Sequence, residues 1–230
     1  MFMSKTSFLR RPLCDLGAIS ILMACACSTP QAPKEAADLP KKVSKEAVPA
    51  PPNTPTMPRS RSSLQAVVSG KRAMQELGKT LKSQLTTKMQ ADGPTAAMAF
   101  CSSQALPMTA DVATQTSVVV GRASLRTRNE KNAGPDWVQV WLKEQGERKV
   151  EGVKPHAQEI TKADGTKMVQ VVAPIGITAP CLVCHGQIEG RPADLTKALA
   201  DAYPNDKANN YALGDLRGAV WAEVVVGETH

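Results

Sequence analysis

Residues 157–174 read AQEITKADGTKMVQVVAP. Ala157 to Thr161 and Thr166 to Pro174 flank Asp164-Gly165. Asp-Gly between two β-prone runs signals a hairpin, because the glycine accepts the positive φ that a tight turn needs. Outward from this hairpin, Ser117 to Leu125 (SVVVGRASL) reads as an earlier strand and Arg217 to Val226 (RGAVWAEVVV) as a later one. Upstream the period changes. Leu64, Val67, Val68, Met74, Leu77, Leu81, Leu85 and Met89 fall largely on one helical face from about Ser62, and Gly93-Pro94 ends that helix. Pro94 then starts a second helix through Phe100 and Cys101 to about Leu106, and Pro107 opens a further short helical piece. Arg126 to Gly134 is a polar loop, and a helix from Pro135 carries Trp137, Val140 and Trp141 on one face. Helices first and an antiparallel sheet after them predict an α+β fold.

Of the 230 residues, 42% are apolar, enough for a packed core, so a wholly disordered chain is excluded. Aromatics are only 3%, so the core relies on Val, Leu, Ala and Met, or on something that is not a side chain. The formal charge is +7, from 28 basic and 21 acidic residues. Eight basic and four acidic residues lie within the first 60, leaving 20 − 17 = +3 for the remainder. With no dense basic stripe and no run of exposed aromatics, nucleic acid is not an expected partner.

The first 30 residues read as an export signal. Lys5, Arg10 and Arg11 precede an apolar run, Leu13 to Ala24, broken by Asp15 and too short for a permanent membrane span. It ends in Leu22-Met23-Ala24-Cys25, which resembles a bacterial lipobox with Cys25 as the lipidated residue; Cys27 is a weaker second site. The plain alternative is an ordinary signal peptide cut near Ala26. Acyl chains at ~0.8 kcal/mol per buried CH₂ would anchor the protein to a membrane durably. Ala26 rather than Asp after Cys25 points, in a Gram-negative host, to the outer membrane. From Thr29 to Ser60 the chain carries eight prolines among Ala, Lys and Glu, with no apolar period, and reads as a semi-extended tether. The expected organisation is a lipoprotein signal peptide at 1–24, a flexible tether at 25–60 and one domain at 61–230.

The chemistry concentrates in Ala179-Pro180-Cys181-Leu182-Val183-Cys184-His185-Gly186. Cys-x-x-Cys-His is the attachment signature of c-type haem. Cysteines three apart lie on one side of a helical turn, where each sulfur can form a thioether to a haem vinyl group, and the adjacent His turns its imidazole to the iron. Cys181 and Cys184 are the expected covalent anchors of one haem c, and His185 its proximal ligand. A zinc ribbon would need a second ligand pair, and only Cys101, His156 and His230 remain in the domain. A thioredoxin-like pair would want a βαβ setting that the downstream sequence lacks. A structural disulfide across two residues is strained. For the second axial position the sequence offers His156, His230, Met98, Met108, Met168 and Cys101, and leaves the choice open.

Several ordered motifs carry a resemblance. They are Ala97-Met98-Ala99-Phe100-Cys101, Gly121-Arg122-Ala123-Ser124-Leu125-Arg126-Thr127-Arg128-Asn129 with Asn132 and Pro135-Asp136-Trp137, the Cys-x-x-Cys-His run, Tyr203-Pro204 and Gly214-Asp215-Leu216-Arg217-Gly218-Ala219. From about Ala97 to Val226 the chain resembles a bacterial family of exported single-haem c-type domains, long catalogued as a domain of unknown function. The helical stretch from residue 62 belongs to the same unit. The resemblance implies a PAS-like antiparallel sheet with N-terminal helices packed around one covalently bound haem, held between His185 and Cys101. It also implies redox or gas sensing. Arg122, Arg126, Arg128 and Arg217 lie in the family-like segments and are candidates, by charge, for the haem propionates.

The expected function is therefore a lipid-anchored haem c protein on the periplasmic side of the bacterial envelope, active in redox or gas sensing or in single-electron transfer. Its partner would be an unidentified redox or signalling protein. Two other classes compete. A haem enzyme with an open axial site would turn over peroxide or nitrogen oxides, and two protein ligands argue against that. A haem-free zinc- or disulfide-stabilised binding module would fail a haem stain.

Overall fold

The computed structural model describes residues 54–227; the export signal, Cys25, the tether up to residue 53 and His230 lie outside the described residues. Helix α1 spans Arg61–Thr116 and is capped by Ser60, whose hydroxyl accepts the Ser63 N–H at 3.0 Å. Gly93, at φ 81° and ψ 175°, interrupts it and divides it into two limbs. The second limb returns along the first. Val112 shares a core cluster with Met74 and Leu77, and the Lys88 ammonium lies 5.7 Å from the centre of the Phe100 ring.

Two expectations about α1 are corrected. The helix runs through Pro107 without a break. Proline removes one i→i−4 hydrogen bond, and both Pro107 and Ser103, whose carbonyl loses its donor, are exposed to water, which can satisfy that carbonyl. The buried face also differs from the one the large residues suggested. Leu64 and Val68 are 52% and 58% exposed, whereas Ser63, Ala66, Gly70, Ala73, Met74 and Leu77 are buried. This stripe of small residues lets the helix approach the sheet closely; a Cβ on Gly70 would come within 3.2 Å of the Val171 side chain.

The sheet comprises β1 (Val119–Ala123), β2 (His156–Thr161), β3 (Lys167–Gly176) and β4 (Leu216–Val225), in the order β1-β4-β3-β2 with every pair antiparallel. The β2–β3 hairpin turns at Asp164-Gly165 as the sequence predicts, with Gly165 at φ 83° and Asp164 Oδ1 accepting the Thr166 N–H at 2.9 Å. Val120, Val169, Val171, Ala222 and Val224 form the face covered by α1. On the opposite face α2 (Asp136–Gln145) packs Val138, Trp141 and Leu142 against Ala123, Val172 and Ala219. Trp137 and Trp221 meet edge to face there at 6.4 Å. This face also carries a polar row: Gln158 donates to Gln170 (2.7 Å), Gln170 to Glu223 (2.9 Å), and the Trp137 indole to the same carboxylate oxygen (2.7 Å).

Thr56 forms a two-way backbone bridge with Glu159 and so covers part of the β2 edge. At the other end of the hairpin a register shift between Ile175 and Gly176 interrupts the β3–β4 ladder, shortly before the Cys-x-x-Cys-His run. That run forms a single turn, Ala179–Cys181, continued by the short helix α3 (Leu182–His185), and α4 (Ala193–Ala202) follows. Among the described residues no helix is long and apolar enough to cross a membrane.

Candidate functional site

Each residue of the motif is held by a different part of the chain. Pro180 sits in the first turn, where its missing N–H costs nothing, and the Thr178 hydroxyl lies 3.2 Å from Cys181 Sγ. The turn stops at Gly186, whose N–H donates to the Leu182 carbonyl at 2.8 Å. A Cβ at position 186 would sit 2.6 Å from that carbonyl oxygen, so the glycine after the histidine is a steric requirement. Cys181 packs toward Ile177, Ala208 and Tyr211, and Cys184 toward Met98, Leu195 and Leu199. Cys101, Cys181 and Cys184 are all free and half-buried.

His185 is oriented by one bond. Its Nδ1 lies 2.8 Å from the Ala208 carbonyl oxygen, which can only accept, so Nδ1 carries the proton and Nε2 keeps its lone pair. The Tyr211 ring meets the imidazole edge-on at 6.2 Å, and the Tyr211 N–H donates to the His185 carbonyl at 2.9 Å. Burial, reinforced by the positive charges of Arg128 and Arg217, lowers the His185 pKa to about 3, so the ring is neutral at physiological pH. A neutral imidazole with one nitrogen hydrogen-bonded to a carbonyl and the other free has the second-shell pattern of a metal-ligating histidine.

Arg128 is the brace of this arrangement. Its Nε pairs with Asp206 at 3.0 Å, and its Nη2 donates to the Cys184 carbonyl (2.5 Å) and the Ala208 carbonyl (3.3 Å). Asp206 in turn accepts the Ala208 N–H at 2.7 Å. One ion pair thus locks the motif to the loop that presents the carbonyl for His185. Arg126 and Arg217 stack on Tyr211, at 4.0 and 5.5 Å from the ring centre. Arg122 lies in β1 with a buried Nε that has no protein acceptor. Arg191, which the sequence reading did not single out, has the same property, and its Nη2 reaches Asn209 Oδ1 at 3.1 Å.

Cys101 stands on the returning limb of α1, one turn after Met98. Met98 packs with Leu195 and Leu199 of α4, where Cys184 also packs, and the Thr95 hydroxyl donates to Asp194 of α4 at 2.6 Å. These contacts bring the Cys101 limb against the motif. Burial pushes the Cys101 thiol up, the Arg122 charge opposes that, and Cys184 adds to it. Of the other second-ligand candidates, His156 is exposed at the start of β2, Met168 is at the far end of β3 from the motif, and Met108 is half-buried on α1.

The donor set suits a porphyrin iron. Two thiols on one turn, an imidazole with its free nitrogen fixed by Ala208, a third sulfur on the facing helix and orphaned buried guanidinium nitrogens at Arg122 and Arg191 could hold a metal-centred macrocycle with acidic side groups. A zinc site is less well served: among the described residues no group of three or more His, Cys, Asp and Glu gathers to hold an ion.

Among solved structures, the cyanobacterial heme-protein Tll0287 shares the fold, with a TM-score of 0.52 and 22% identity, covering 75% of this chain and 99% of that one. No curated protein matches the chain. A family model, Tll0287-like, matches residues 56–224, so the unit includes the first limb of α1 and the residues that bridge to β2. The match covers 224 − 55 = 169 of the 230 residues, and the chain belongs to the Tll0287-like family.

Proposed function

We propose that this chain binds one haem c, with Cys181 and Cys184 as thioether anchors and His185 as proximal ligand, and acts in redox or gas sensing or in single-electron transfer. The observation that carries the reading is the His185 Nδ1 bond to the Ala208 carbonyl at 2.8 Å, which leaves Nε2 as a lone-pair donor beside the two cysteines. The haem-protein identity of the related structure supports it. Bound haem supplies one-electron iron chemistry. This chain's residues orient the imidazole and keep it neutral. Cys101 is the proposed second ligand, and the Arg122 cation favours its thiolate form. Arg122 is also well placed for an acidic group, because its buried Nε has no protein acceptor.

In this reading Cys25 carries lipid, and the protein sits on the periplasmic side of the envelope at the outer membrane, within reach of a redox or signalling partner. A pyridine haemochrome spectrum with haem staining of a denaturing gel tests the core of it, on protein exported by a host with c-type maturation. A c-type band that stays with the denatured chain is expected. Its absence despite competent maturation overturns the reading.

A further inference from the structure

Tyr211 lines a second feature that His185 does not. Between the 210–218 segment, the C-terminal end of α2 and the loop after β1 lies a cleft of about 530 Å³, within the size range of small-molecule sites. Arg126 and Arg217 both pack on the Tyr211 ring in its wall. Neither meets a carboxylate. Arg126 donates to the carbonyls of Lys207 and Asn209, and Arg217 to the Ser124 hydroxyl (2.6 Å) and the Arg126 carbonyl (3.1 Å). Arg148 at the rim also has no carboxylate within ion-pair distance among the described residues. Two acids line the cleft. Asp215 is held by Lys149 at 2.5 Å and by the Ala212 N–H at 2.7 Å and also feels the Arg126 charge, so three guanidinium groups in the lining face Glu147 and an aspartate already paired with a lysine.

Two guanidinium groups on one aromatic ring, neither in an ion pair, hold donors that an oxyanion would satisfy in forked geometry. We propose that this cleft binds a small solute bearing carboxylate or phosphate groups, gripped by Arg126, Arg217 and Arg148, with Tyr211 as the wall shared with His185. The same oxyanion chemistry could come from the propionates of the haem described above, and the experiment separates the two sources. The solute site itself does not depend on the haem reading.

The test is calorimetric titration of the full-length, haem-loaded protein at low ionic strength with citrate and with inorganic phosphate. Saturable one-site binding of at least one probe is expected. R217Q should weaken it tenfold or more. R148E, on an exposed side chain with no hydrogen bond or ion pair to lose, should do the same without disturbing the fold. R72Q, on the exposed face of α1, should leave it unchanged. No saturation with either probe overturns the proposal, as does equal weakening by R72Q, which would mean diffuse charge only. Binding that appears in a Cys181→Ser/Cys184→Ser chain but not in the haem-loaded one would mean that propionates occupy the arginines; it overturns the solute site and leaves the haem reading standing. Solute binding in a protein with no haemochrome would do the reverse.

Discussion

Replacing Arg128 with Met removes the cation from the Arg128–Asp206 pair, whose side chains are 13% and 10% exposed and 3.0 Å apart. At that separation and an effective dielectric constant of about 20, the direct attraction is about 5 to 6 kcal/mol. Desolvation of both charges offsets much of it, so the pair itself is a modest net contributor. Removing one partner is different, because the buried Asp206 charge then keeps the Ala208 N–H as its hydrogen-bond donor and only the more distant charges of Arg191 and Arg217. The expected loss is about 3–5 kcal/mol. A domain of this size has about 5–15 kcal/mol in total, and at about 2–4 °C per kcal/mol Tm should fall by about 6–20 °C. The assay is guanidinium and thermal unfolding of wild type, Arg128→Met, Asp206→Asn and the double variant. The double variant should lose clearly less than the sum of the singles, since it leaves no unpaired charge. A Tm change below about 2 °C for Arg128→Met, or additivity within about 0.5 kcal/mol, would refute the assignment of Arg128 as a buried brace.

Three further outcomes follow from the same geometry. In the haem-free chain the unfolded His185 titrates near 6.5 and the folded one at about 3. The unfolded state therefore binds the extra proton between those values. Stability is complete above 6.5 and falls by about 1.4 kcal/mol per unit as pH drops toward 3; urea midpoints of a Cys181→Ala/Cys184→Ala chain should show this slope, and an equal slope after His185→Gln would exclude His185 as its source. Cys101→Ala should raise the reduction potential of the haem-loaded protein, because a thiolate favours ferric iron; an unchanged potential and an unchanged low-spin spectrum would remove Cys101 as a ligand. Gly218→Ala would place a Cβ 2.2 Å from the Ala123 carbonyl oxygen. It should cost about 1–3 kcal/mol by forcing β4 away from β1, and an unaltered melting curve would contradict that packing.

Local chemistry was the most legible part of this sequence. Cys181, Cys184 and His185 share one turn, so their spacing alone brings them together, and Asp164-Gly165 marks its hairpin for the same reason. The four strands were readable from their runs, but the order β1-β4-β3-β2 depends on pairing between distant segments. The buried face of α1 was misread because size suggested that Leu64 and Val68 point inward, whereas close approach to Val171 selects Gly70 and the alanines. Helix α4 went unmarked, although Asp194 in its first turn and the Leu195–Leu199 pair were available signals. The partner of His185 was beyond reach. It is a backbone carbonyl, at Ala208, and no side-chain pattern announces it. Arg191 likewise becomes noticeable only when its buried Nε is found to lack an acceptor.

The polar row beneath Trp137 bears on how the chain chooses among alignments of its own strands. Gln158, Gln170 and Glu223 are direct register partners across β2, β3 and β4, and Val119 of β1 faces Glu223 in the same line. Val169 and Val171 flank Gln170 and point to the other face, into the aliphatic layer under α1. A slip of one residue would turn Gln170 into that layer and move both valines to the face of the polar row. A slip of two would restore the faces, yet it would leave the buried Gln170 amide without Glu223 and the Trp137 indole without its acceptor. The valines alone distinguish odd from even shifts. The amide and carboxylate distinguish one even shift from the next, so the row adds little to the depth of the native minimum and much to its uniqueness.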